Sequence, residues 1–135
     1  MNRYTTLSAA VALALASGAA FAASTADISQ DGNDNFADVT QIDADGSTAS
    51  IDTVGDDNSA TIVQDDSFFA DASITQDGDN NDAAITQTVV SDYASATIDQ
   101  IGGSTGTLAT ITQNDTWGGA EGVGSLASVT QDAAT

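Results

Sequence analysis

The 135-residue sequence has no Cys, Pro, His or Lys, and Arg3 is its one basic side chain. Aromatic residues make up 5% of it, against 20 Asp and Glu and a formal net charge of −19. Each absence removes a class of function. Without Lys or Arg beyond Arg3, nothing in the rest of the chain can displace counterions from a phosphate backbone, which excludes nucleic acid as a partner. Anionic membrane surfaces are excluded on the same ground. Without His, Cys or Lys, the commonest general base, thiol nucleophiles, Schiff-base amines and zinc ligands are missing as well. Only Asp, Glu, Ser, Thr and Tyr chemistry remains. Long apolar runs are lacking too, so no membrane insertion is expected.

The N-terminal stretch has a different composition from the rest. Arg3 is followed by an Ala/Leu-rich run over Leu7–Ala16 and by small residues ending in Ala20-Phe21-Ala22, the pattern of a secretory signal over residues 1–22. The remainder, 23–135, is expected to be exported as a polyanion. Exported small proteins commonly rely on disulfides, and here no cysteine is available, so another source of stability is required.

A repeat supplies it. The pattern Ala-x-(Ile/Val)-x-Gln occurs at Ala26–Gln30, Ala37–Gln41, Ala60–Gln64, Ala72–Gln76, Ala83–Gln87, Ala96–Gln100, Ala109–Gln113 and Ala127–Gln131. A further copy, Ala49–Thr53, ends in Thr. The central residues are Ile28, Val39, Ile51, Ile62, Ile74, Ile85, Ile98, Ile111 and Val129, first at alternating intervals of 11 and 12, then at 13, 13 and 18. Two copies make a unit of 23 residues. Within each copy Ala, Ile and Gln stand at i, i+2 and i+4 with mostly polar residues between them, the period of a strand with one buried face. Clusters of Gly, Asn and Asp interrupt any helix of useful length. The predicted fold is all-β: a β-solenoid, or cross-β stack, of strand-turn-strand units with about 4.8 Å between successive coils. Its divisions fall near 24–46, 47–69, 70–93, 94–124 and a half unit at 125–135.

Stacking coil on coil sorts the chain into columns. Ile28, Ile51, Ile74, Ile98 and Val129 form one; Val39, Ile62, Ile85 and Ile111 form the other. Two amide columns accompany them, Gln30, Gln76, Gln100 and Gln131 beside Gln41, Gln64, Gln87 and Gln113. A buried amide is costly alone, but in register each NH2 can donate to the neighbouring carbonyl. Down the outward columns of the first sheet no Asp sits on another Asp, which suits in-register pairing. Three of the four first turns carry Gly with Asn or Asp, which tolerate positive φ. The second turns hold Phe68, Phe69, Tyr93 and Trp117, either as a stacked aromatic edge or as loop anchors.

On these residues the chain resembles curlin, the subunit family of bacterial curli amyloid fibres. The family signature Ser-x5-Gln-x4-Asn-x5-Gln is met in full by Ser24, Gln30, Asn35 and Gln41. Ser47, Thr53, Asn58 and Gln64 meet it with one change, as do Ala70, Gln76, Asn81 and Gln87. A fourth unit keeps Gln100 and Gln113 without the Asn, and a half unit keeps Ser125 and Gln131. The resemblance implies a structural protein, not an enzyme, and no cofactor. It implies secretion in unfolded form and assembly outside the cell into a cross-β fibre for adhesion and biofilm matrix. The partners it implies are further copies of the chain, a second curlin-type subunit as nucleator or co-polymer, and a curli-type secretion pore. The repeats begin at Ser24, without the Gly- and Asn-rich targeting stretch that precedes them in curlins of the major type.

Assembly also follows from the residues themselves. Solenoid ends need polar caps and edge strands are commonly guarded by Lys or Pro, and this chain has neither residue. Three other classes stay open at this stage. Asp43-Ala44-Asp45-Gly46 and Asp77-Gly78-Asp79-Asn80 offer hard oxygens for Ca²⁺ in an acidic adhesin, although they fit neither the EF-hand order nor the Gly-Gly-x-Gly-x-Asp repeat. Rows of Thr and Ser such as Thr86 and Thr112 suit an ice- or glycan-binding face, against which the outward columns are irregular. A carboxylate-pair hydrolase needs two acids in unlike surroundings around a cleft, of which there is no sign.

Overall fold

The computed structural model describes residues 10–16, 24–88, 93–114 and 124–132. Within them the chain forms strands and no helix: β1 (Ala10–Ala16), β2 (Thr25–Asp31), β3 (Phe36–Ile42), β4 (Thr48–Val54), β5 (Ser59–Asp65), β6 (Asp71–Asp79), β7 (Asp82–Thr88), β8 (Ser95–Thr105), β9 (Leu108–Asn114) and β10 (Leu126–Asp132). Each strand from β2 to β10 holds one copy of the pentapeptide, because alternation with period two gives one buried and one solvated face. Inward residues are buried and outward ones are not, as in β3 and β7.

The strands divide into two parallel sheets. The odd sheet runs β1-β3-β5-β7-β9 and the even sheet β10-β8-β6-β4-β2. The fold is therefore a β-solenoid in which each coil gives one strand to each sheet. Pairing is in register throughout the repeat: Ile28 lies beside Ile51, Ile51 beside Ile74, and Ile74 beside Ile98. In the odd sheet Val39 lies beside Ile62, Ile62 beside Ile85, and Ile85 beside Ile111. The core is a thin double row of Ala and Ile or Val, from Ala37 and Val39 to Ala109 and Ile111, with Ala26, Ile28, Ala127 and Val129 partly buried at its ends. β-branched side chains suit this slot, since their single favoured rotamer repeats without adjustment from coil to coil.

Two departures from strict repetition matter. Between Gln76 and Gly78 the β6–β8 register shifts, so that Gln100 still pairs with Gln76 while Ser104 pairs with Gly78. The extra residues of the fourth unit are thus taken up in a bulge containing Gly102 and Gly103, both at positive φ. The second departure is β1, which lies within residues 1–22 and pairs with the edge of β3, Leu13 beside Val39 and Leu15 beside Gln41.

The first turns close on a glycine column. Gly32, Gly55 and Gly78 have φ of 125°, 118° and 130°, a region open to glycine. They are followed by Asp34, Asp57 and Asn80 in the left-handed region, where Asx residues are tolerated.

Candidate functional site: the stacking ladders

The inward Gln side chains are almost fully enclosed, with Gln64, Gln76, Gln87 and Gln100 at 0% exposure, Gln41 at 3% and Gln113 at 5%. Gln30 and Gln131, in the outermost strands of the even sheet, are half-buried. Burial on this scale requires partners, and the neighbouring coil supplies them. In the odd sheet Gln41 Nε2 donates to Gln64 Oε1 at 2.8 Å, Gln64 Nε2 to Gln87 Oε1 at 3.0 Å, and Gln87 Nε2 to Gln113 Oε1 at 2.8 Å. In the even sheet Gln76 Nε2 donates to Gln100 Oε1 at 2.9 Å, and Gln100 Nε2 to Gln131 Oε1 at 2.8 Å. The same nitrogens also reach backbone carbonyls across the core, as Gln64 does to Thr48 and Ala70. Gln64 therefore ties its own coil closed as well as to the next coil.

Asn and Ser do the same work at the two ends of the strands. Asn35 Nδ2 donates to the Gly55 carbonyl at 2.8 Å and Asn58 Nδ2 to that of Gly78 at 2.7 Å. Their Oδ1 atoms accept from the backbone N–H of the next Asn down, Asn58 and Asn81, both at 3.0 Å. Ser24 Oγ donates to the Ala44 carbonyl, and Ser47 Oγ to that of Ser67 at 3.0 Å. Asn thus fastens the first turn of the following coil, and Ser fastens the second. Ala70 and Ala94 follow in the Ser column; both are buried, and neither has a hydroxyl to offer.

A family model for the curlin-associated repeat matches residues 22–52 and 70–102. Those two stretches carry curlin-associated repeats. No curated protein and no solved structure matched it. Curlins are subunits of extracellular curli fibres, and a curli-like subunit is what these repeats imply.

The structure adds to the curlin pattern in four places. First, the even-sheet ladder is interrupted. Thr53 stands between Gln30 and Gln76, too short to bridge them, and both polar side-chain atoms of Gln30, Thr53 Oγ1 and Gln76 Oε1 are buried without a hydrogen-bond partner. The expected column of Gln30, Gln76, Gln100 and Gln131 therefore bonds only from Gln76 onward. Second, the fourth unit replaces the missing Asn with Thr107. Its N–H and Oγ1 donate to Asn81 Oδ1 at 3.2 and 2.9 Å, which continues the Asn column by one coil. The sequence signal was Thr followed by Leu108-Ala109, where earlier units have Asn followed by a strand-opening residue and Ala.

Third, the second turns contain a column of left-handed residues: Gly46 at φ 68°, Phe69 at 52° and Tyr93 at 56°. Such values are unusual for bulky side chains. The Phe69 and Tyr93 rings stack with centroids 5.3 Å apart and planes 11° from parallel, and Phe69 lies against Gly46, where a Cβ would come within 2.8 Å of the ring. Aromatic stacking offsets part of the backbone cost. Phe68 is exposed beside them, and Trp117 lies outside the described residues.

Fourth, the Asp-rich turns engage one another. Asp56 Oδ1 accepts from the Asn33 N–H and Nδ2, and Asp79 Oδ1 accepts from the Asp56 N–H at 2.9 Å. Among the described residues no group of three acidic side chains is arranged to hold a metal ion.

Proposed function

We propose that this protein is the structural subunit of a curli-like extracellular amyloid fibre. It is secreted after removal of residues 1–22, assembles end to end by strand addition, and serves adhesion and biofilm matrix. Ser24, Gln30, Asn35, Gln41 and their column-mates act as the stacking ladder, with the Ile and Val columns as the dry core. The observation that carries this reading is at the N-terminal edge. Gln41 Oε1 is buried and accepts no hydrogen bond, whereas Gln64, Gln87 and Gln113 below it each accept one from the coil before. Gln30 Oε1, at the edge of the even sheet, is likewise without a donor. In the odd-sheet column every other Gln acceptor is met, so the open one at Gln41 calls for one more donor of the same kind, and a second copy of the chain has it at its C-terminal coils. Growth then joins the C-terminal end of one chain to the N-terminal end of the next. In the full chain β1 pairs with the β3 edge, with Leu15 in register with Gln41. Removing the leader exposes that edge.

A second curlin-type subunit and a curli-type secretion pore belong to the same reading as its partners. The test is incubation of the chain from Ala23 onward, followed by thioflavin fluorescence and fibre diffraction. The expected result is a lag, a sigmoidal rise and a meridional reflection near 4.8 Å. A chain that stays monomeric and folds sharply on addition of Ca²⁺ overturns it in favour of an acidic adhesin.

A further inference from the structure

The two edges that meet in such a fibre are uneven. Without β1, the N-terminal edge consists of β2 in the even sheet and β3 in the odd sheet; the C-terminal edge consists of β10 in the even sheet and β9 in the odd sheet. Five strands, β2 to β10, therefore lie in the even sheet and four, β3 to β9, in the odd. If an incoming chain kept the orientation of the first, its β2 would pair with β10. Its β3 would then be left about 9.6 Å from β9, a gap of one whole strand. If the incoming chain is turned by half a turn about the fibre axis, its β2 falls on β9 and its β3 on β10, and both ladders close. Strand directions survive this rotation, because the two sheets run opposite ways around the coil. Side chains survive it too, since both sheets use the same Ala-x-(Ile/Val)-x-Gln frame, so Gln113 meets Gln30 and Gln131 meets Gln41.

Charge points to the same solution independently. In none of the described strand pairs does an Asp lie beside an Asp: Asp31 pairs with Val54, Asp52 with Thr75, Asp65 with Thr88 and Asp99 with Thr130. Like charges on directly adjacent strands are destabilising, and beyond Arg3 this chain has no basic side chain to relieve them. Unrotated stacking sets Asp31 directly on Asp132. Rotated stacking sets Asp31 on Asn114 and Ile42 on Asp132, which preserves the rule at the junction.

We infer that successive subunits in the fibre alternate by half a turn, so that each sheet is built from five strands of one chain and four of the next. The inference rests on the proposed polymerisation. The rise is then about 21.6 Å per chain, with chains in the same orientation every 43 Å or so.

Ser29, Thr112 and Thr130 are exposed, and the chain has no cysteine to interfere. Two double variants of the chain from Ala23 onward, whose core runs from Ala26 to Val129, separate the arrangements: Ser29→Cys with Thr112→Cys, and Ser29→Cys with Thr130→Cys. Neighbouring parallel strands bring paired Cα atoms within disulfide range. Neither pair can close inside one monomer, since β2 lies at the opposite end of the solenoid from β9 and β10. Both variants are assembled reduced, checked for fibres by thioflavin fluorescence and electron microscopy, oxidised and run on a non-reducing gel. The 29/112 fibres are expected to give covalent oligomers and the 29/130 fibres monomers. Fibres that cross-link through 29/130, or through neither pair, overturn the half-turn arrangement and leave the fibre subunit standing. Failure of the unsubstituted chain to form fibres overturns both.

Discussion

A Cβ added to Gly55 would stand 2.0 Å from the carbonyl oxygen of Gly78, one coil away. The contact is with backbone that two coils share, so it cannot be relieved by a rotamer change. The φ of 118° adds a conformational cost for any other residue. Gly55→Ala is expected to destabilise the monomer by about 3 kcal/mol or more. Gly103→Ala, where a Cβ meets no heavy atom within 4 Å, bears only the left-handed backbone penalty of roughly 1 kcal/mol. Urea midpoints measured at low salt, before fibres form, check the pair; equal losses would remove the stacking explanation of the glycine column.

Thr53 offers a gain instead. Glutamine at this position meets the free Nε2 of Gln30 and the free Oε1 of Gln76, and every other coil of this column accommodates a Gln side chain. Thr53→Gln is expected to stabilise the fold by about 1–3 kcal/mol, the usual cost of leaving buried polar atoms unpaired. The same urea titration reads the shift, and a midpoint at or below that of the unsubstituted chain contradicts it.

Kinetics should separate the ends of the ladder from its middle. Alanine at Gln30, Gln41 or Gln131 removes a group that the incoming chain must meet, whereas alanine at Gln64 or Gln87 breaks bonds already made within one chain. Thioflavin time courses are expected to show a lag several-fold longer for the end variants than for the central ones. Equal lags would sink templating through the amide columns.

Ionic strength is a further handle. A chain with net charge −19 repels its own copies, and added salt screens that repulsion over distances of about 10 Å at 0.1 M. Fibre growth is expected to accelerate several-fold between 10 and 200 mM NaCl at neutral pH, and likewise on acidification that neutralises carboxylates. A rate flat in both contradicts charge as a brake on assembly.

The strands, the two sheets and their register were legible in the sequence because one short frame fixes all three. Ala-x-Ile-x-Gln sets the strand period, and its return after 11 and 12 residues sets which strand lies on which. Features that depend on one coil meeting another were harder to read. The unmet atoms around Thr53 appear only when its neighbours in the column are seen to reach past a shorter side chain. Thr107 replaces Asn by chemistry instead of identity, and the two residues that shift the spacing ahead of it conceal its place. The left-handed backbone at Phe69 and Tyr93 runs against their intrinsic preference, and the stacking of their rings, which offsets part of that cost, is seen only when the coils meet. Nor did the Ala/Leu run at the N-terminus carry the repeat frame that would have announced a strand at Ala10–Ala16.

The side-chain amides between Gln41 and Gln113, and between Gln76 and Gln131, all donate in one direction along the solenoid. Amide dipoles aligned in this way add rather than cancel, much as peptide dipoles do along a helix. A fibre continuing the pattern carries a permanent axial dipole, with N–H groups presented at one tip and carbonyl oxygens at the other. The two tips are then chemically different electrodes of one filament, and its growth has a built-in direction.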